Sequence, residues 1–67
     1  MNFMSTGQFI KKRRNSLGID QRALSEISGI AVHTLSNIEA GKGNPKITTL
    51  ERVLEALGME IRIRIKE

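Results

Sequence analysis

The spacing of hydrophobic residues changes once along this chain, near residue 58. Up to Leu57, many apolar residues recur three or four positions apart, which is the spacing of one face of an α-helix. From Met59 to Lys66, apolar and charged residues alternate strictly, which is typical of a β-strand with one buried face. The pattern therefore predicts a mainly α fold that ends in one C-terminal β-strand over residues 59–66.

One predicted helix lies near the start of the chain, and another lies after its middle. The first runs from Thr6, a candidate N-cap, to about Asn15. The last runs from residue 47 or 48 to residue 57, and Thr48–Glu51 has the spacing of a capping box. The apolar residues expected on the inner sides of these two segments are Phe9, Ile10, Leu17, Leu50, Val53, Leu54 and Leu57.

Residues 21–41 predict two short helices joined by a tight turn. Asp20 is a good N-cap for the first of them, and Gly29 supplies the left-handed backbone that ends a helix sharply. Each helix carries two apolar residues three positions apart, Leu24 with Ile27 and Leu35 with Ile38. Two helices of this length around a turn that contains glycine are typical of the helix-turn-helix motif.

The segment resembles the Cro-like, XRE-type helix-turn-helix regulators. Their usual pattern is Leu-Thr-Gln, then Leu-Ala, Gly-Val-Ser and Ser-x-Ile-Glu-x-Gly. The corresponding residues in this chain are Ile19–Gln21, Leu24–Ser25, Gly29–Ala31 and Ser36–Gly41. The resemblance covers about residues 7–58 and implies a lambda-repressor-like fold of four helices that binds double-stranded DNA.

Two residues depart from the pattern of the family. Ser25 replaces the usual Ala and is small enough to fit, whereas Ala31 replaces the usual Ser or Thr cap of the second helix. Because Ala is the weaker cap by about 1 kcal/mol, we expect this helix to be frayed at its start or capped by another group.

The resemblance places Val32, His33 and Asn37 of the second helix toward the edges of DNA bases. Asn can donate to and accept from an adenine, and Val can pack on a thymine methyl group. His33 can bond to a base or a phosphate, or can be an ordinary exposed histidine. The resemblance also implies an ion pair between Arg14 and Glu39, which would tie the first helix to the third.

Phosphate contacts are expected at three places around this helix. One is the N-terminus of the preceding helix, where exposed amides and the helix dipole favour an anion. The others are the second helix itself and the loop that follows it. The candidates are Gln21, Thr34, Ser36, Lys42, Asn44 and Lys46. For each of them, plain exposure to solvent or local capping is the alternative.

Composition agrees with a nucleic-acid partner and disfavours several other classes. The 67 residues, which predict one domain, carry a net charge of +4; residues 1–46 hold seven Lys or Arg against three Asp or Glu, and residues 47–67 hold four of each. The chain contains no Cys and one His, so neither a metal site, a cofactor nor an enzyme is expected. No membrane span or signal peptide is expected either, which predicts a cytoplasmic protein.

The predicted strand needs a partner, because a single strand leaves its backbone groups unpaired. Two copies paired across a two-fold axis would form a homodimer in which the apolar tail residues Met59, Ile61, Ile63 and Ile65 face the helices. This tail resembles the HipB-like antitoxin branch of the family. The sequence thus predicts a dimeric repressor that reads a palindromic operator. The alternative is an antitoxin that neutralises a toxin protein and represses its own operon.

Overall fold

A computed structural model of the chain describes residues 5–62 and residue 65. The described residues form four α-helices: α1 Thr6–Ser16, α2 Gln21–Ser28, α3 Val32–Glu39 and α4 Ile47–Ala56. The four-helix, mainly α fold predicted from the sequence is therefore confirmed, and the predicted motif corresponds to α2 and α3. Within the described part of the chain, no helix has the length and apolar character needed to span a membrane.

All four helices contribute side chains to one hydrophobic core. The core residues are Ile10, Leu24, Ile30, Leu35, Ile38, Val53, Leu54 and Leu57. The prediction was wrong for Phe9 and Leu17, which are about half exposed, and Ile27, three positions after Leu24, is 61% exposed. Leu24 alone fills the inner side of the short α2, and Ile30 from the turn occupies the adjoining space.

The helix caps differ from the sequence prediction at two of the four helices. Ser5, not Thr6, caps α1: its Oγ accepts from the Gln8 amide at 3.2 Å, and Gln8 Oε1 accepts from the Ser5 amide at 2.8 Å. The capping-box spacing at Thr48–Glu51 is not used as a cap, because α4 begins at Ile47 and has no side-chain cap.

At the motif itself the predictions hold. Asp20 caps α2 by accepting from the Ala23 amide at 2.8 Å, and Gly29 ends that helix with a φ of 74°. Ala31 precedes α3 without providing a side-chain hydrogen bond, as expected for alanine.

Helix α1 packs closely on the C-terminal end of α3. A side chain at Gly7 would overlap the Ile38 carbonyl oxygen and would crowd the Glu39 backbone. The absence of a side chain at Gly7 thus sets the distance between these two helices. The close approach fixes the end of α3 from which the next loop departs.

The tail after Gly58 belongs to no helix as far as the structure describes it, through Arg62 and at Ile65. Ile61 is 37% exposed and Ile65 is 93% exposed. Ile63, predicted as part of the strand, lies outside the described residues. The strand and its pairing across a dimer therefore stay predictions.

Candidate nucleic-acid interface

Helix α3 is anchored by two apolar side chains and presents a polar face on its other side. Leu35 is fully buried and Ile38 is nearly so. The side chains on the remaining part of α3 are exposed at Val32, His33 and Ser36 and half-buried at Thr34 and Asn37. The three predicted base-contacting residues thus lie on the outward part of the helix.

The end of α3 forms a Schellman motif that places a lysine beside the outward face. The Gly41 amide donates to the Ile38 carbonyl at 3.1 Å, and the Lys42 amide donates to the Asn37 carbonyl at 2.8 Å. This arrangement requires a φ of 73° at Gly41, which is strained for residues with a side chain. The backbone therefore fixes Lys42 next to Asn37.

A shallow cleft of about 160 Å³ lies between α3 and the loop that follows it. It brings together residues that the sequence predicted separately as base or phosphate contacts. These are Thr34, Asn37, Lys42 and Asn44. The remaining phosphate candidates lie outside this cleft. Ser36 is exposed on α3, Lys46 is exposed just before α4, and Gln21 lies at the start of α2.

A buried ion pair joins α1 to the end of α3. Arg14 Nε donates to Glu39 Oε2 at 2.8 Å, and Arg14 Nη2 donates to Glu39 Oε1 at 2.9 Å. The side chains are only 10% and 4% exposed. Arg14 Nη1 also donates to the Ile19 carbonyl at 2.9 Å, so the guanidinium additionally holds the turn before α2.

Gln21 takes part in the same network, which the sequence did not indicate. Its Nε2 donates to Glu39 Oε1 at 3.3 Å. The amide nitrogen carries two hydrogens, so one of them stays available for another acceptor. Glu39 therefore orients the side chain that was predicted to contact a phosphate at the start of α2.

The ion pair shifts the titration of both partners. Burial of the Glu39 carboxyl disfavours its charged form, but hydrogen bonds from Arg14 and Gln21 and the nearby positive charges outweigh burial, so its pKa lies below the usual range. The hydrogen bond to Glu39 raises the pKa of Arg14 against the opposing effect of burial. Both groups are thus charged across the physiological range.

A second side-chain contact lies on the outward face of α3. Asn37 Nδ2 is 3.4 Å from His33 Nε2, and the two residues are four apart on the same helix. Residues at this spacing are neighbours on a helix surface, so the sequence contained the signal for the contact.

Elsewhere in residues 5–62, no three His, Cys, Asp or Glu side chains cluster as metal ligands would.

Comparison with known proteins gives one family match and several relatives. A family model described as helix-turn-helix matches residues 10–63. Over 58 residues the chain is 31% identical to the HTH-type transcriptional regulator PuuR of Escherichia coli. The matched segment covers 87% of this chain and 31% of PuuR. Over 64 residues it is 34% identical to the immunity repressor protein of Bacillus phage phi105. That matched segment covers 96% of this chain and 44% of the phage protein.

A third relative shows the highest identity of the three. It is an uncharacterized HTH-type transcriptional regulator of Haemophilus influenzae, 38% identical over 50 residues that cover 75% of this chain and 51% of the relative. The chain thus spans between about a third and a half of the length of these relatives.

Proposed function

The chain belongs to the helix-turn-helix family, in its XRE-type branch, and we propose that it is a sequence-specific DNA-binding repressor. The observation that carries the proposal is the cleft beside α3, where Asn37 and Lys42 lie together. A side chain that can read a base edge and a cation that can bind a phosphate are both needed at a DNA groove.

In the proposed complex, α3 enters the major groove and divides its contacts between two roles. Val32, His33 and Asn37 face the base edges and supply sequence discrimination. The phosphate contacts come from Gln21, Thr34, Ser36, Lys42, Asn44 and Lys46 and set the register of the protein on the duplex. The excess of positive charge in residues 1–46 favours the encounter with DNA.

We further propose that two copies bind together through their tails. The exposed apolar side chains of Ile61 and Ile65 support this, because a second tail would cover them. A two-fold dimer requires a near-palindromic operator whose half-sites are about 34 Å apart, or a multiple of that distance.

The direct test of the proposed function is selection of bound duplexes from a randomised pool. We expect a near-palindromic sequence to be enriched and to bind at least about 1,000-fold more tightly than random DNA at the same salt concentration. Failure to enrich any sequence would contradict the proposal.

The antitoxin role is the second candidate, and the same exposed tail supports it. A toxin protein would then cover Ile61 and Ile65 in place of a second copy. Purification of the chain at native level distinguishes the two, since only the antitoxin role requires a second, different protein in stoichiometric amount.

Replacing Asn37 with alanine should weaken binding to the selected operator by about 1–3 kcal/mol and leave binding to random DNA nearly unchanged. The reason is that the amide is proposed to read a base and not a phosphate. Titrations on both duplexes measure the difference. Equal losses on the two duplexes would contradict the base-reading role.

Replacing Lys42 with alanine should instead weaken binding to both duplexes. The number of phosphate contacts that the salt dependence of binding reports should fall by about one. Arg52→Ala is a charge-matched control, because Arg52 lines a different groove, with Ile27 and Ala56. An equal decrease in salt dependence for both variants would show that overall charge, and not a phosphate contact of Lys42, is responsible.

A further inference from the structure

We propose that His33 is a positioning residue that sets the orientation of the Asn37 amide and thereby selects the base that Asn37 reads. This inference rests on the proposed function and extends it to the choice of base. The geometry that carries it is the approach of Asn37 Nδ2 to His33 Nε2 at 3.4 Å on the outward face of α3.

With a neutral imidazole, the observed arrangement requires His33 Nε2 to accept a hydrogen bond from the amide nitrogen. The His33 proton is then on Nδ1. Asn37 keeps one N–H and its carbonyl oxygen for the DNA, since the amide nitrogen has two hydrogens and only one is used. One donor beside one acceptor is the pattern that pairs with N7 and N6 of adenine in the major groove.

With a protonated imidazole, the same arrangement cannot persist. Both ring nitrogens then carry hydrogens, so Nε2 can only donate. The amide must turn to direct its carbonyl oxygen toward His33, which leaves its two N–H groups for the DNA. Donors alone match N7 and O6 of guanine and cannot accept from N6 of adenine. Protonation of His33 thus changes the preferred base from adenine toward guanine.

The side chain of His33 is exposed, and within the described residues its one side-chain hydrogen-bond contact is Asn37. Helix α3 packs against α1 and α2. The charged side chains on these three helices are Lys11, Lys12, Arg13, Arg14, Arg22, Glu26 and Glu39. Among the described residues no salt bridge to His33 is formed, and Glu39, on the same helix, is paired with Arg14.

Two variants separate the acceptor role of His33 from its mere presence. In His33→Gln the side-chain carbonyl can still accept from Asn37 and does not titrate. In His33→Lys the side chain can only donate, as a protonated imidazole does. Because residue 33 is exposed, both variants should fold, which circular dichroism verifies.

The experiment uses the selected operator and a second duplex with one changed base pair. The changed position is the one at which the Asn37→Ala variant no longer prefers one base over the others. Adenine is replaced there by guanine. The affinity ratio of the two duplexes is measured for each protein at about pH 5.5 and about pH 8, where histidine changes its charge. An added positive charge strengthens binding to both duplexes alike, so the ratio isolates base reading.

For the unchanged protein, we expect the preference for adenine to fall by about tenfold or more from the higher to the lower pH. His33→Gln should show the same preference at both pH values, because its amide does not titrate, and His33→Lys should lack the adenine preference at both. A ratio that is the same at both pH values and in both variants would overturn the inference while the proposed function stands. A guanine preference of the unchanged protein at about pH 8 would do the same. Binding without preference for the selected operator over random DNA would instead overturn the proposed function, and the inference with it.

Discussion

Replacing Glu39 with alanine is expected to lower the free energy of unfolding by about 3–5 kcal/mol, because it leaves the buried guanidinium of Arg14 without its counter-charge. A domain of this size has a total stability of only about 3–10 kcal/mol, so the change removes a large fraction of that stability. Urea denaturation followed by circular dichroism measures the loss.

Two comparisons show whether burial of the pair is the cause. Glu60 and Arg62 form an ion pair at 2.7 Å that is largely exposed, so Glu60→Ala should change stability by less than about 1 kcal/mol. The double variant Arg14→Met with Glu39→Met should lose less than the sum of the two single changes, because no uncompensated charge stays buried. Equal effects of Glu39→Ala and Glu60→Ala would contradict the account.

The same pair predicts a dependence of stability on pH. The pKa of Glu39 is lower in the folded chain than its usual value, so its contribution is fully present above that usual value and is lost as pH falls through the folded one. The difference in stability between the unchanged protein and Glu39→Gln should therefore shrink below about pH 4.5. A difference that stays constant in acid would contradict this assignment.

Replacing Gly7 with alanine is expected to destabilise the fold by about 3 kcal/mol, at the upper end of the range for overpacked cores. The new methyl group would overlap the Ile38 carbonyl oxygen, and a backbone atom cannot move aside as a flexible side chain can. Helix α1 would have to separate from α3. Thermal unfolding measures the loss of stability.

Thr6→Ala is the matched control for this change. Thr6 lies in the same turn of α1 and is exposed, so its replacement should have little effect. Since alanine is also the better helix former, a Gly7→Ala variant that is as stable as the unchanged protein would show that the close approach of α1 to α3 is not needed.

The sequence predicted those parts of the fold whose cause lies in neighbouring residues. Helical spacing placed Leu24, Leu35 and Ile38 in the core, and local capping rules placed Asp20 and Gly29 at the ends of α2. These features depend on a few consecutive residues, so a single sequence is enough to predict them.

The features that the sequence did not predict depend on packing between distant segments. Periodicity could not distinguish the buried Leu24 from the exposed Ile27, since both lie near one side of α2 and only the position of the other helices separates them. Gly7 has no local signature, because the need for glycine there comes from a carbonyl group 31 positions away in the sequence.

The candidate interface likewise has one part that the sequence indicated and another that only the structure shows. The resemblance to the family indicated which residues to consider, and the structure supplies their arrangement: Asn37 beside Lys42 in one cleft, and Gln21 held by Glu39. The link from Gln21 through Glu39 to Arg14 joins the core to the surface proposed to bind DNA. Loss of Glu39 should therefore affect DNA binding as well as stability.

Methylation interference on the selected operator shows whether α3 enters the major groove at two half-sites. Methylation of guanine N7 modifies the major groove, whereas methylation of adenine N3 modifies the minor groove. We expect N7 methylation to block binding in two symmetric clusters about 10 base pairs apart, or a multiple of that spacing. Interference confined to adenine N3, with no effect of N7 methylation, would contradict it.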